Sequence, residues 1–403
     1  IATSSAFTHG VYIVLAAMLV ITPFLTELIA FLLAIYTLII FGVAERTLPI
    51  SIPLSSKRKG ADGMFFLGND IENNNEEIWI SNDVARRHML IMGTTGAGKT
   101  EALLSISYNM ILTGSGFIFS DGKGTFELYA KTYILCRSIG IEDDLLLMSF
   151  LTGGRDIRGP QTTKVSNTLN PFSSGSAAEL SQLLISLMSS GSGGGGDMWE
   201  ARAAALMECI MAYLVYRRDE EKVLISIDGI RNTLILNEIY NAWKNSVDNK
   251  HKLPDNIESS LHAYLVSLAG FDADKPFADQ QDSVSEQHGY LFMQFTKILG
   301  SLTDVYGYIF NVNLSEINFW DVVVNRRVLI VLLPALSKSQ QELSMLGKVI
   351  VACVKRMMSS GSGEYAEGNV RHAFLVNPTN NITPYLVIFD EYGYYSVKGG
   401  AVI

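Results

Sequence analysis

The chain is 403 residues long, with 48% apolar and 18% charged residues and a formal net charge of −9. Mean hydropathy is +0.23 and charge falls below the roughly 25% of an ordinary soluble domain, which excludes a disordered chain, a fibrous repeat and a strongly basic nucleic-acid coat. Three cysteines, Cys136, Cys209 and Cys353, lie far apart without CxxC spacing, so a disulfide scaffold is excluded, a zinc site is disfavoured and a reducing compartment is the simple reading.

The length allows two or three structural units, each able to bury its own core. Val11 to Val43 is 33 residues with one charge, Glu27. One straight helix of that length would run about 50 Å, longer than a bilayer needs. Pro23 breaks helices and Glu27 suits a headgroup region, so two short spans are expected, at 9–22 and 28–43, with a single tilted span as the alternative. The apolar run is too long for a signal peptide, and no small-residue cleavage site follows it. Arg46, Lys57, Arg58 and Lys59 come next and place that end in the cytoplasm.

Five short apolar runs without polar alternation read as strands covered on both faces. They are expected at 88–92, 116–120, 145–150, 328–333 and 385–389. Helical patterns separate them, which predicts an α/β fold with a parallel sheet. The third and fourth runs stand about 180 residues apart. Within that gap Leu180, Leu183, Leu184 and Leu187 recur at helical spacing, as do Leu206, Cys209, Ile210, Tyr213 and Leu214. The stretch 172–305 therefore reads as an all-α insertion. Ser189–Gly196 reads as a flexible linker, and Trp199 as a packing anchor at the start of a helix.

The segment Gly93-Thr94-Thr95-Gly96-Ala97-Gly98-Lys99-Thr100 matches GxxxxGK[ST] and is followed by Glu101 and a helix-compatible stretch. Its glycines let backbone N–H groups close around phosphates at a helix N-terminus. Lys99 would reach the β- and γ-phosphates and Thr100 would hold Mg²⁺. Tyr385–Phe389 then brings Asp390 and Glu391 to the end of a strand, Asp390 for Mg²⁺ and Glu391 as the general base on water. The chemistry expected is ATP hydrolysis. A second loop, Ser120-Asp121-Gly122-Lys123-Gly124, places Asp121 or Lys123 near the phosphates or a subunit boundary, or is simply a tight polar turn. Arg326 and Arg327 read as a solvated strand entry, with nucleic acid or a neighbouring subunit as alternatives. His88 reads as structural.

GTTGAGKT at 93–100, DGKGTFELYAK at 121–131 and EDDLLLMSF at 142–150 are followed by SNTLNPF at 166–172 and GDMWEARA at 196–203. NRRVLIVLLPALSKSQQELSMLGK at 325–348 and PYLVIFDEYGYY at 384–395 complete the series. Together these resemble the type IV secretion coupling proteins, most closely the type IVB branch, across nearly all of 65–403. The resemblance implies a RecA-like P-loop NTPase domain with an inserted all-α domain and an N-terminal transmembrane hairpin. The domains would be 1–46 for the hairpin, 47–171 and 306–403 for the nucleotide-binding domain, and 172–305 for the insertion. It further implies ATP and Mg²⁺, a bacterial inner-membrane location and a homo-hexamer when active. The implied partners are other secretion subunits and a relaxase–DNA complex or effector proteins, with single-stranded DNA as a possible cargo. Family members carry further strands, a sensor segment and an arginine acting across the subunit boundary; none can be assigned here. Two other classes are weighed: a recruitment platform with little turnover, which Glu391 disfavours, and an FtsK-type DNA translocase. No LSGGQ-like signature supports a small-molecule transporter.

Overall fold

A computed structural model describes residues 63–70, 75–94, 96–154, 161, 163–188, 196–335, 337–360 and 383–395, together with 31 and 34–36. The chain divides into two compact units, Ile1–Ala61 and Asp62–Ile403. The four described residues of the first unit are helical. The expected membrane hairpin otherwise lies outside the described residues, as do Arg46, Lys57–Lys59 and Ser189–Gly195. Among the described residues, no helix is long and apolar enough to cross a membrane.

The second unit opens with an antiparallel pair, β1 (Gly63–Asp70) and β2 (Glu76–Ser81). Helix α1 (Lys99–Leu112) packs beside β1. Asn109, 2% exposed, ties the two together: its amide donates to the Phe66 carbonyl at 3.3 Å and its carbonyl accepts from the Phe66 N–H at 3.4 Å. A buried amide paired on both sides avoids the desolvation cost of an orphan.

The main sheet has four parallel strands: β3 (Phe117–Asp121), β4 (Leu145–Ser149), β5 (Val328–Leu332) and β6 (Leu386–Asp390), in the order β4-β5-β3-β6. Helix α2 (Phe126–Ile139) links β3 to β4. These four strands fall within one residue of the expected runs, because an apolar strand without alternation can only be satisfied with cover on both faces. Every residue of β5 is 1% exposed or less. Truncating such a side chain to Ala costs about 2–5 kcal/mol.

The first run, 88–92, forms no strand among the described residues. Leu90 and Met92 are each 82% exposed. A strand needs a hydrogen-bonding neighbour as well as an apolar sequence, and β6 is the edge of the described sheet on this side. A cavity of about 900 Å³ is lined by 85–93 together with 384–393.

Between β4 and β5 every described regular element is helical. The longer ones are α3 (Ala177–Leu187), α4 (Gly196–Asp219), α5 (Ile227–Thr233), α6 (Leu236–Val247), α7 (Asp255–Val266), α8 (Asp282–Gly300) and α9 (Phe319–Val324). Ser176 starts α3 with a capping box, accepting from the Glu179 N–H while Glu179 accepts from the Ser176 N–H. The periodic residues Leu180, Leu183, Leu184, Leu206, Cys209 and Ile210 are all buried, as expected. They belong to one core that also contains Ile118 of β3 and Leu329 of β5. Helix α10 (Gln340–Ser360) follows β5 and packs on α3. Cys136, Cys209 and Cys353 are free and buried. Burial pushes the thiols of Cys136 and Cys209 up to about 11, so neither supplies a thiolate at neutral pH.

His288 in α8 is 5% exposed and fully partnered, with Nε2 2.8 Å from the Leu234 carbonyl and Nδ1 2.6 Å from the Tyr264 hydroxyl. A carbonyl only accepts, so Nε2 carries the proton and Nδ1 accepts from Tyr264. Burial lowers the His288 pKa, partly offset by the Leu234 hydrogen bond. The neutral ring is therefore favoured in the folded state. Its stabilising contribution is fully present above the unfolded value of about 6.5 and declines as the pH falls below that. The urea midpoint is expected to drop more between pH 7.5 and 5.5 in the native protein than in His288→Asn; equal slopes would refute this.

Candidate functional site

The phosphate loop leads directly into α1, with Gly98 as its N-cap. Gly96 and Gly98 sit at φ 83° and 80°, in the left-handed region that residues with a Cβ avoid. The loop is exposed, and Lys99 folds back over it. The ammonium donates to the carbonyls of Gly93 at 2.9 Å and Thr94 at 3.1 Å. Glu101 turns away toward α2, paired with Lys131 at 2.6 Å. Thr95 lies outside the described residues.

The Thr100 hydroxyl donates to Asp390 Oδ2 at 3.0 Å, joining positions 290 residues apart. Asp390 is 6% exposed, and its other oxygen accepts the Glu391 N–H at 2.9 Å. The expected pair of Mg²⁺ ligands therefore meets at one point. A hydroxyl and a carboxylate oxygen are hard donors that suit Mg²⁺, which normally completes its octahedron with waters and substrate phosphates. Among the described residues no cluster of three His, Cys, Asp or Glu forms a self-sufficient metal cage. The two-donor arrangement fits a metal that arrives with phosphate.

Parallel pairing sets β3 and β6 so that Asp121 lies opposite Asp390. The loops that follow are consequently neighbours. Asp121 is 4% exposed and accepts from the N–H groups of Lys123 at 2.8 Å and Thr125 at 2.9 Å, and from the Thr125 hydroxyl at 3.1 Å. Its oxygens organise the loop rather than meeting phosphate, so the tight-turn alternative describes Asp121. Asp-Gly-Lys-Gly carries the signature of an Asx turn, which was legible in the sequence. Lys123, by contrast, reaches Glu391, with Nζ 2.7 Å from Oε1. Tyr395, completely buried, places its hydroxyl 3.2 Å from the carbonyls of both Ser120 and Asp390, bracing the two strand ends. Nothing in the sequence marked Tyr395 for that position.

The cavity beside β6 brings Gly93, Lys99, Asp390 and Glu391 to one wall. His88 lines it as well and is exposed, rather than forming part of a packed core. Arg326 is not a solvated strand entry: it donates to the Ser115 hydroxyl and to the Thr383 carbonyl, both at 2.9 Å. It sits at φ 57° and burial lowers its pKa. Arg327 lies between Asp321 at 3.3 Å and Asp144 at 3.7 Å. Arg326 is tied to Ser115 and Thr383, and Arg327 forms part-exposed ion pairs within this chain. Trp199 falls in the first turn of α4, and its side chain lies outside the described residues.

No protein-family model matches the chain. It is 44% identical to the type 4 coupling protein DotL of Legionella pneumophila, over 98% of this chain and 53% of that protein. It is 41% identical to the DNA import protein CedB of Sulfolobus acidocaldarius over 73 residues, 18% of this chain and 12% of that one. The chain thus spans about half the length of DotL. Among solved structures it overlaps the bacterial conjugative coupling protein TrwB at 14% identity with a TM-score of 0.45, covering 85% of this chain and 70% of that one. The complex of TrwB with ADP and Mg²⁺ overlaps at 13% identity and a TM-score of 0.43, covering 78% and 67%. Overlaps this loose carry no residue-level correspondence.

Proposed function

From a chain 44% identical to a type 4 coupling protein over nearly all of its own length, we propose that this protein is the motor part of a type IV coupling ATPase. It would bind ATP, hydrolyse it and use the cycle to pass substrates to a secretion or conjugation channel. The single observation that carries this reading is the Thr100–Asp390 hydrogen bond. It unites a phosphate loop with an acidic strand end, and the next residue, Glu391, supplies the base that hydrolysis requires.

In this reading the loop N–H groups of 93–100 and the N-terminus of α1 bind phosphate oxygens. Lys99 exchanges its two carbonyl partners for the β- and γ-phosphates. Thr100 and Asp390 would hold Mg²⁺, which would neutralise charge on the phosphates. Glu391 takes a proton from the attacking water. The helical stretch 172–305 would be the all-α insertion, and 47–171 with 306–403 would form the RecA-like motor. Residues 1–46 would anchor the chain in a bacterial inner membrane, and six copies would form the active ring. Cargo would be a relaxase–DNA complex or effector proteins. With a net charge of −9, any contact with single-stranded DNA rests on few basic groups and weakens steeply with salt.

The test is ATP hydrolysis by the full-length, detergent-extracted protein, with and without single-stranded DNA, beside Lys99→Ala. Turnover lost in Lys99→Ala supports the motor, and stimulation by DNA favours conjugative transfer. Turnover indifferent to DNA favours protein export. Nucleotide binding without turnover overturns the motor in favour of a recruitment platform.

A further inference from the structure

The loop after β3 was open to two readings, a group near the phosphates or a subunit boundary and a tight polar turn; its lysine does something else. Five features converge on the contact between Lys123 and Glu391. The register of β3 with β6, Asp121 opposite Asp390, brings the two loops side by side. The Asp121 carboxylate accepts the Lys123 N–H at 2.8 Å, so the lysine backbone is pinned. Gly122 donates to the Asp390 carbonyl at 3.1 Å. A Cβ on Gly122 would lie 2.9 Å from the Glu391 carbonyl oxygen and 3.1 Å from the Glu391 Cβ, so only glycine allows this approach. Glu391 itself sits at φ 52°, a left-handed conformation uncommon for a residue with a Cβ. Backbone strain of this kind persists where the surroundings over-determine it. The Lys123 ammonium, 2.7 Å from Glu391 Oε1, is the charged group that meets this carboxylate.

We propose that Lys123 is a positioning residue for Glu391, holding its carboxylate in the orientation from which it polarises the attacking water. The proposal rests on the ATPase reading of the site. Lys123 acts through Glu391 and not on the nucleotide, because its ammonium meets the carboxylate while Lys99 folds over the phosphate loop.

The experiment compares steady-state hydrolysis by full-length wild type, Lys123→Met, Lys123→Arg, Glu391→Gln and the Lys123→Met/Glu391→Gln double variant. Binding of a fluorescent ATP analogue is measured in parallel. Lys123→Met is expected to lower kcat by roughly tenfold with KM and analogue affinity unchanged. Lys123→Arg should recover most of the rate. The double variant should be no slower than Glu391→Gln alone, because the residue that Lys123 positions is already gone. An unchanged kcat in Lys123→Met overturns the proposal. So does a parallel loss of analogue affinity, which would put Lys123 on phosphate, or a further drop in the double variant. Lys123 is 42% exposed, so folding is retained and checked by the melting temperature. Wild type without turnover defeats the ATPase reading by itself, and the proposal with it.

Discussion

Glu391→Gln is expected to reduce ATP hydrolysis by about 10²–10⁴-fold, the usual contribution of a positioned general base. That corresponds to about 2.7–5.4 kcal/mol of lost transition-state stabilisation. Nucleotide affinity should remain essentially unchanged, because in the proposed site the phosphates and their Mg²⁺ would be held by the loop 93–100, Lys99, Thr100 and Asp390, and none of these depends on the Glu391 carboxylate. The amide keeps the shape of the side chain and removes its basicity. It also removes the ion pair with Lys123 at 2.7 Å, which is partly exposed and contributes little to stability. Single-turnover kinetics with bound ATP separates the two effects: binding at the wild-type level with hydrolysis nearly abolished. A variant that hydrolyses at the wild-type rate would remove Glu391 from the chemistry and leave only the phosphate loop to support the enzymatic reading.

Gly124→Ala is expected to destabilise the second unit by about 3–5 kcal/mol, combining left-handed backbone strain with an overpacked contact. Gly124 sits at φ +63°, and a Cβ there would lie 2.1 Å from the Leu333 carbonyl oxygen. That oxygen is backbone at the end of β5 and has no rotamer by which to withdraw. The Leu151 side chain is 3.0 Å away on another side. The loss would be a large part of a typical total stability of 5–15 kcal/mol. Gly140→Ala is the control: its φ is +77° and nothing lies within 4 Å of the added Cβ, so only the conformational strain of about 1–2 kcal/mol applies. Urea unfolding of the two variants measures the difference. Equal midpoints would mean that the loop after β3 relaxes away from Leu333.

The loop at 93–100 was readable because its conformation is set locally. Two glycines at positive φ, a lysine and a threonine at fixed offsets, and a helix starting at Lys99 are consequences of a short run of chain. Four strands were readable for a related reason: five consecutive buried positions, as in β3 and β5, leave no other pattern for a strand covered on both faces. The run 88–92 is also largely apolar and forms no strand among the described residues. Its composition states that it is apolar and cannot state which strand will lie beside it.

The roles of individual polar residues divide along the same line. Asp121, Asp390 and Glu391 were recognisable as acids at strand ends, and the sequence by itself determined the phosphate loop, the acidic strand end and the α/β class. Only the tertiary structure decided what each acid does. The pairing of β3 with β6 put Lys123 against Glu391. The folding of 383–395 against β3 carried Tyr395 beneath both strand ends. The crossing before β5 turned Arg326 inward onto Ser115 and Thr383. The contacts of Lys123 with Glu391, Tyr395 with Ser120 and Arg326 with Ser115 join residues far apart in the chain, where the energy depends on register and burial. Spacing along the sequence fixes the groups that local turns and helix starts bring together. Groups brought together by strand order are fixed only when the sheet closes.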